Sequence, residues 1–222
     1  MQTKLIYFIR HGETKLNALG IRQGALGELT EKGRIQALTT AKRFPRETGS
    51  PEVIIASPYE RTKETASIVA AELKMPIEYS DLLVERRNPS EIIGHSGTEK
   101  DIKKIVDLID QSFHDDNYRY SDEENFTDLK ERARKLLEYI KGRPEQRIFM
   151  ITLGLFLKMV VSYMLLGEKL TASKYNALSY LNPIDNGGIT ICSYTVQEKS
   201  WFKKAKEEWK VVVWNDLIEA KE

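Results

Sequence analysis

The run Leu5-Ile6-Tyr7-Phe8-Ile9-Arg10-His11-Gly12-Glu13-Thr14 decides how this chain is read. Successive apolar, β-favouring residues predict a strand buried on both faces, and the glycine that follows predicts a sharp turn. Arg10 and His11 then stand at the carboxyl end of a strand, where open α/β sheets hold their ligands. The run Ile148-Phe149-Met150-Ile151-Thr152-Leu153-Gly154, leading into Leu155 to Leu166, has the same strand-turn-helix form. Its turn carries Leu153 and no titratable group.

Working outward, strands are predicted at Leu5–Ile9, Val53–Ala56, Ile148–Thr152, Ile189–Val196 and Trp209–Trp214, with a further short one ahead of Leu82. Helices are predicted at Glu31–Phe44, Tyr59–Glu72, Thr98–Phe113, Phe126–Lys141 and Leu155–Leu166. This alternation argues for an α/β fold: a mostly parallel sheet with helices on both faces, a three-layer sandwich. Thr30 is a sound helix cap, but Gly33 stands where a capping box needs Glu or Gln. The polar stretch Asp110 to Asn125 reads as a surface loop. Its acids Asp122, Glu123 and Glu124 look like the start of the helix at Phe126, where negative charge suits the helix dipole. The expected organisation is a single domain over 1–222 with a helical cap inserted at about 89–125.

Composition bounds function loosely. With 34 basic and 33 acidic residues in 222, the near-neutral charge gives no reason to expect nucleic acid or a membrane surface as the partner. The apolar stretch from Leu153 to Leu166 is too short to span a bilayer and is interrupted by Lys158. No signal-peptide pattern is read ahead of the first strand, so the cytoplasm is the expected location. The single cysteine, Cys192, lies in an alternating run and reads as a packed strand thiol. The apolar strand around Trp209 and Trp214 fits either core or an interface.

Five ordered segments carry a resemblance: Arg10-His11-Gly12-Glu13-Thr14; Asn17 with Gln23-Gly24; Leu29-Thr30-Glu31-Lys32-Gly33; Ser57-Pro58-Tyr59-Glu60-Arg61; and Asn186-Gly187-Gly188 with Asn215-Asp216. Together they resemble the histidine phosphatase superfamily, the phosphoglycerate-mutase-like enzymes, from about Lys4 to Asp216. The resemblance implies that fold and metal-independent phosphomonoester hydrolysis through a phosphohistidine, with no cofactor. Its ligand would be a phosphorylated small molecule or a phosphoprotein. Gln23-Gly24 reads like the phosphatase branch, and insertions of the mutase type are not evident.

The chemistry suits the residues. A phosphate monoester needs its charge matched and an attacking group placed in line. Arg10 and Arg61 are the candidates to clamp phosphate, because an arginine fork meets two oxygens at once. The resemblance makes His11 the nucleophile, attacking with one ring nitrogen while the other N–H is held. It also makes Glu85, in Val84-Glu85-Arg86-Arg87-Asn88, the general acid. An exposed glutamate in a charged loop is the other reading, and Arg86 and Arg87 oppose protonation unless they face substrate. Asn17, Gln23 and Gly24 would bind phosphate or substrate; Asn17 and Gln23 fit turn roles equally well. Arg86, Arg87, Tyr118 and Tyr120 would set specificity.

The departure is Leu153. Members of the resembled family usually carry a second histidine in a strand-Ser/Thr-His-Gly turn, and here that turn is Thr152-Leu153-Gly154. Losing one preorganised donor to the phosphoryl group typically costs about 10²–10³ in rate. His95 and His114 are the remaining histidines, and both read as exposed loop residues. Two functions are therefore expected side by side: an attenuated phosphatase, or a catalytically silent phosphate-binding pseudophosphatase.

Overall fold

The computed structural model describes residues 2–47, 49–112, 114–181, 183–197 and 206–217. Among them, β1 (Gln2–Arg10), β2 (Val53–Ala56), β3 (Ile77–Tyr79), β4 (Arg147–Thr152), β5 (Ile189–Gln197) and β6 (Lys206–Asp216) form one sheet in the order β3-β2-β4-β1-β5-β6. The helices are α1 (Lys15–Ala18), α2 (Glu31–Glu47), α3 (Glu60–Leu73), α4 (Lys100–Ser112), α5 (Phe126–Gly142), α6 (Gly154–Leu166) and α7 (Ala172–Leu181). β1 to β4 are parallel, and β5 runs antiparallel to both β1 and β6.

Strand alternation builds two cores. Ile6, Phe8, Ile55, Ile148, Met150 and Cys192 face α5 and α6. Tyr7, Ile9, Ile54, Phe149 and Ile151 face α2 and α3, where Ala41, Ala66 and Val69 close the layer. A strand buried on both sides must be apolar at every position, which is why β1 and β4 read as unbroken runs. The three-layer α/β sandwich expected from the sequence is the fold observed. Trp209, Val211 and Trp214 of β6 pack against the first core. Burial pushes the Cys192 thiol up to about 12, as suits an inert strand residue.

Several boundaries shift for physical reasons. β1 begins at Gln2 because β5 continues the ladder to Gln2 opposite Val196. The short strand expected ahead of Leu82 is β3, three residues on the sheet edge. α7 has little amphipathic contrast and was not legible as a helix. Phe113, read as the end of a helix, lies outside the described residues. The acids before Phe126 stand just ahead of its helix and also bind neighbouring backbone. Asn125 caps α5 together with Asp128, while Asp122 accepts from the Ser90 amide at 2.9 Å, Glu123 from the Tyr120 and Ser121 amides, and Glu124 from the Arg87 amide at 2.9 Å.

The start of α2 is pressed against the loop that follows β1. Thr30 accepts from the Gly33 amide at 3.0 Å and its own amide donates to the Glu13 carbonyl at 2.8 Å. A Cβ on Gly12 would strike the Gly33 backbone, and one on Gly33 would strike Glu13. Position 33 is glycine, in place of a capping-box acid, because two backbones meet there. Gly33→Ala is expected to lower stability by about 1–3 kcal/mol through overpacking against fixed backbone; urea unfolding of the variant beside the parent chain measures it, and an unchanged midpoint would contradict the contact.

Candidate active site

The site forms where β1 and β4 end side by side. Their parallel pairing sets Arg10 opposite Thr152, and the His11 amide carries it one step further by donating to the Thr152 carbonyl at 3.1 Å. Leu153 therefore stands alongside His11. Gly154 is next, and the Arg10 side chain lies over it: a Cβ there would sit 3.2 Å from Arg10 Nε. From the other side the Gly187 amide donates to the Arg10 and His11 carbonyls at 3.1 and 3.2 Å. Gly187 has φ 75°, a conformation that favours glycine. The loop bearing it is held by Asn215, which accepts from the Asp185 amide at 2.9 Å.

His11 is 3% exposed. Its Nδ1 lies 2.8 Å from the Gly12 carbonyl oxygen, which can only accept, so Nδ1 carries the proton. Nε2 is left with a lone pair. Burial, with the Arg61 and Arg10 charges behind it, holds the imidazole well below its ordinary pKa. The side chain is thus a neutral, oriented base. The Asn186 amide side chain donates to the His11 carbonyl at 3.1 Å and to Asn17 Oδ1 at 3.3 Å, tying the turn to α1.

A cavity of about 190 Å³ opens before this ring, lined by Arg10, His11, Asn17, Ile21, Arg22, Gln23, Arg61, Glu85, Arg86, Asn88 and Leu155. The predicted catalytic and binding residues all line it except Gly24, which takes part through its backbone: its carbonyl accepts from Arg61 at 2.7 Å; of the residues expected to set specificity, Arg86 alone lines it. Arg10 donates to the Ile184 carbonyl. The Nε atoms of Arg10, Arg22 and Arg61 are buried and lack a hydrogen-bond partner. Burial lowers all three guanidinium pKa values. Several arginines around one small cavity, with donors unmet, call for an anion.

Glu85 reaches the cavity from the loop after β3, yet both its oxygens are engaged. They accept from the Leu155 and Phe156 amides at 3.1 and 2.8 Å. Leu153 has no side chain able to cap α6, so Glu85 caps it from 70 positions away. Its loop is anchored by Arg132 of α5, which donates to the Val84 carbonyl at 2.6 Å, pairs with Glu124 at 2.8 Å and stacks on Phe156. The two arginines after Glu85 diverge. Arg86 lines the cavity, whereas Arg87 turns outward to the Asp122 carbonyl.

Asn17 and Gln23 hold turn contacts and also line the cavity. Asn17 closes the capping box of α1 and lines the cavity; Gln23 accepts from Thr14 at 3.0 Å and lines it too. His95 pairs with Glu99 on the surface, and the described lining residues do not include Tyr118, Tyr120 or His114. Arg22, Asn88 and Asn186 were not singled out as site residues. The signal for Arg22 was its place beside Gln23; for Asn186, its place before two glycines. Leu153 itself is fully buried, and Leu155 presents the turn to the cavity. Among the described residues no cluster of His, Cys, Asp or Glu could hold a metal ion, and no helix is long and apolar enough to cross a membrane.

A histidine kept neutral by folding binds its proton more readily once unfolded. Stability contributed by His11 is therefore present above about pH 6.5 and is lost as pH falls below it. Between pH 6.5 and 5 the parent chain should lose stability with a slope of up to about 1.4 kcal/mol per pH unit that His11→Asn lacks. Denaturant midpoints of both proteins across that range test this, and parallel slopes would contradict the buried neutral ring.

The chain matches the family described as Histidine phosphatase superfamily (branch 1) over residues 6–216. It is 31% identical over 156 residues to a metal-independent phosphoserine phosphatase of Arabidopsis thaliana, covering 67% of this chain but 63% of that protein, less than two thirds of its length. It is 31% identical over 169 residues to a probable phosphoglycerate mutase GpmB of Erwinia tasmaniensis, covering 72% of this chain and 74% of the relative. Among solved structures, Mycobacterial hydrolase 2 shares the fold with a TM-score of 0.79 at 21% identity, over 100% of this chain and 94% of that one. A mutant phosphoserine phosphatase from Entamoeba histolytica, in complex with phosphoserine, gives 0.72 at 22% identity over 96% of both chains. With the family match running from the first strand to the last, this chain belongs to the histidine phosphatase superfamily, branch 1.

Proposed function

We propose that this protein hydrolyses phosphomonoesters without a metal, through a phosphohistidine at His11, at a rate attenuated by Leu153. The observation that carries the reading is the neutral His11, its Nδ1–H fixed on the Gly12 carbonyl and its ring facing the arginine-lined cavity. The phosphoryl group sits between Arg10, Arg22 and Arg61, whose unmet Nε donors supply its hydrogen bonds. Nε2 attacks phosphorus as the P–O bond to the leaving group breaks, and the departing oxygen takes a proton from Glu85. Water then attacks phosphorus, the N–P bond breaks, and Glu85 recovers a proton from that water. For this Glu85 must exchange one α6 amide for the ester oxygen, so it is the part of the site whose contacts change on binding. The segment 89–125 serves as the cap, since Asp110 of α4 borders the adjoining cavity.

Leu153 favours a second reading. The resemblance puts a phosphoryl donor at the turn that Leu153 occupies next to His11 in the strand register, and an isobutyl group donates nothing. A pocket that retains its arginines and lacks that donor suits a protein that holds phosphate without turning it over.

Hydrolysis of an aryl phosphate without added metal separates the two. Turnover that disappears in His11→Ala supports the enzyme, and Leu153→His should raise the rate by about 10²-fold. No turnover in the parent chain, with activity appearing in Leu153→His, supports the binding protein. An unchanged rate in Leu153→His would sink the attenuation claim.

A further inference from the structure

We infer that Arg132 of α5 is the positioning residue of Glu85: its guanidinium fixes the backbone that carries the acid and so sets where the carboxyl stands against the ester oxygen. This rests on the phosphomonoester reading above, with Glu85 as the acid. Residues 84–89 follow the short turn of helix at Asp81–Leu83 and are neither helix nor strand, so their backbone groups need partners from elsewhere. Arg132 supplies them. Nη1 donates to the Val84 carbonyl at 2.6 Å and Nη2 to the Glu85 carbonyl at 3.4 Å. Glu124 holds the same fork from its other edge, accepting from Nε at 3.0 Å and from Nη2 at 2.8 Å. That carboxylate also takes the Arg87 amide at 2.9 Å, and the Glu124 amide donates to the Arg87 carbonyl at 2.9 Å.

Arg132 reaches the other end of the acid as well. Its guanidinium lies over the Phe156 ring, 3.9 Å from the ring centre, and Phe156 is one of the two α6 residues whose amides hold the Glu85 carboxylate. One guanidinium therefore ties the Glu85 backbone to α5 and to the start of α6 at once. The Glu85 side chain stands outside this clasp. It accepts from the amides of Arg86, Leu155 and Phe156, so it can turn toward the ester while its backbone stays in place. Arginine suits the task because its planar fork serves carbonyls and a carboxylate together while its face stacks on a ring. The Arg132–Glu124 pair is nearly buried, at 12% and 16% exposure. A buried pair of this kind gains little stability over apolar residues of similar volume, and its use here is to fix one geometry. Arg132 lines neither the phosphate cavity nor the one adjoining it, so it acts through Glu85 and not on substrate.

The test compares kcat/KM for two esters without added metal: 2,4-dinitrophenyl phosphate, whose leaving group departs without a proton, and phenyl phosphate, whose leaving group needs one. The ratio kcat/KM ends at cleavage of the ester, before water attacks the phosphohistidine. Arg132→Met should raise the preference for the dinitrophenyl ester by about 10- to 100-fold, the range lost when a reacting group is misplaced by about 1 Å. Glu85→Gln should raise it at least as far, and adding Arg132→Met to Glu85→Gln should move it no further. Arg132→Lys, which keeps the charge and loses the fork, should give a smaller rise, and it carries the test if Arg132→Met does not fold. A preference unchanged in the Arg132 variants, even where both rates fall together, marks a merely structural role and overturns the inference. A further rise on adding Arg132→Met to Glu85→Gln overturns it too, as does an unmoved preference in Glu85→Gln, which removes the acid to be positioned; in each case turnover by the parent chain leaves the phosphatase standing. No turnover of either ester by the parent chain removes the phosphomonoester reading, and the inference with it.

Discussion

The parallel pairing of β1 with β4 is the constraint on which the site depends. It sets Arg10 opposite Thr152, and the hydrogen bond from the His11 amide to the Thr152 carbonyl extends it past the strand ends. One register then brings together His11, Arg10, the N-terminus of α6 and Leu153. A slip by one residue would send every side chain of β1 to the opposite core. The register is protected because both faces of both strands are buried, by Ile6 and Phe8 on one side and Tyr7 and Ile9 on the other.

Around that pairing, backbone groups do much of the holding. The Gly12 carbonyl fixes the His11 tautomer, Gly24 anchors Arg61 through its carbonyl, and Gly187 holds the turn from behind. Glu85 joins two tasks, capping a helix that Leu153 cannot cap and bordering the cavity. A histidine at position 153 would also put a polar side chain at the start of α6, so the leucine alters both the chemistry available and the way that helix end is held. The buried Nε donors of Arg10, Arg22 and Arg61 lack partners within the protein, which is the physical sign of a site suited to an anion.

Much of this was legible in the sequence, for identifiable reasons. Strands buried on both faces read as continuous apolar runs, so β2 and β4 were found nearly to the residue and the apolar centre of β1 with them, and the helices covering them showed their apolar spacing. The site residues at strand ends, Arg10 and His11, followed from the same pattern. What stayed hidden depends on contacts distant in the chain. α7 shows no clear amphipathic pattern because Tyr175, Asn176 and Ser179 face a polar cavity. The acids at 122–124 resembled a helix start, yet they bind amides and arginines of other segments. Lys158 looked like an interruption in an apolar helix; only the packing of α6 against α7 gives it a cavity to face.

The central claim is that His11 becomes the phosphoryl carrier. The most direct measurement is alkaline quenching of the protein after brief exposure to an aryl phosphate, followed by mass spectrometry of the peptide containing His11. The account predicts a phosphoryl group on His11, absent from His11→Asn. Release of free phosphate with no phosphorylated His11 at any quench time, or a phosphoryl group on another residue, would contradict it.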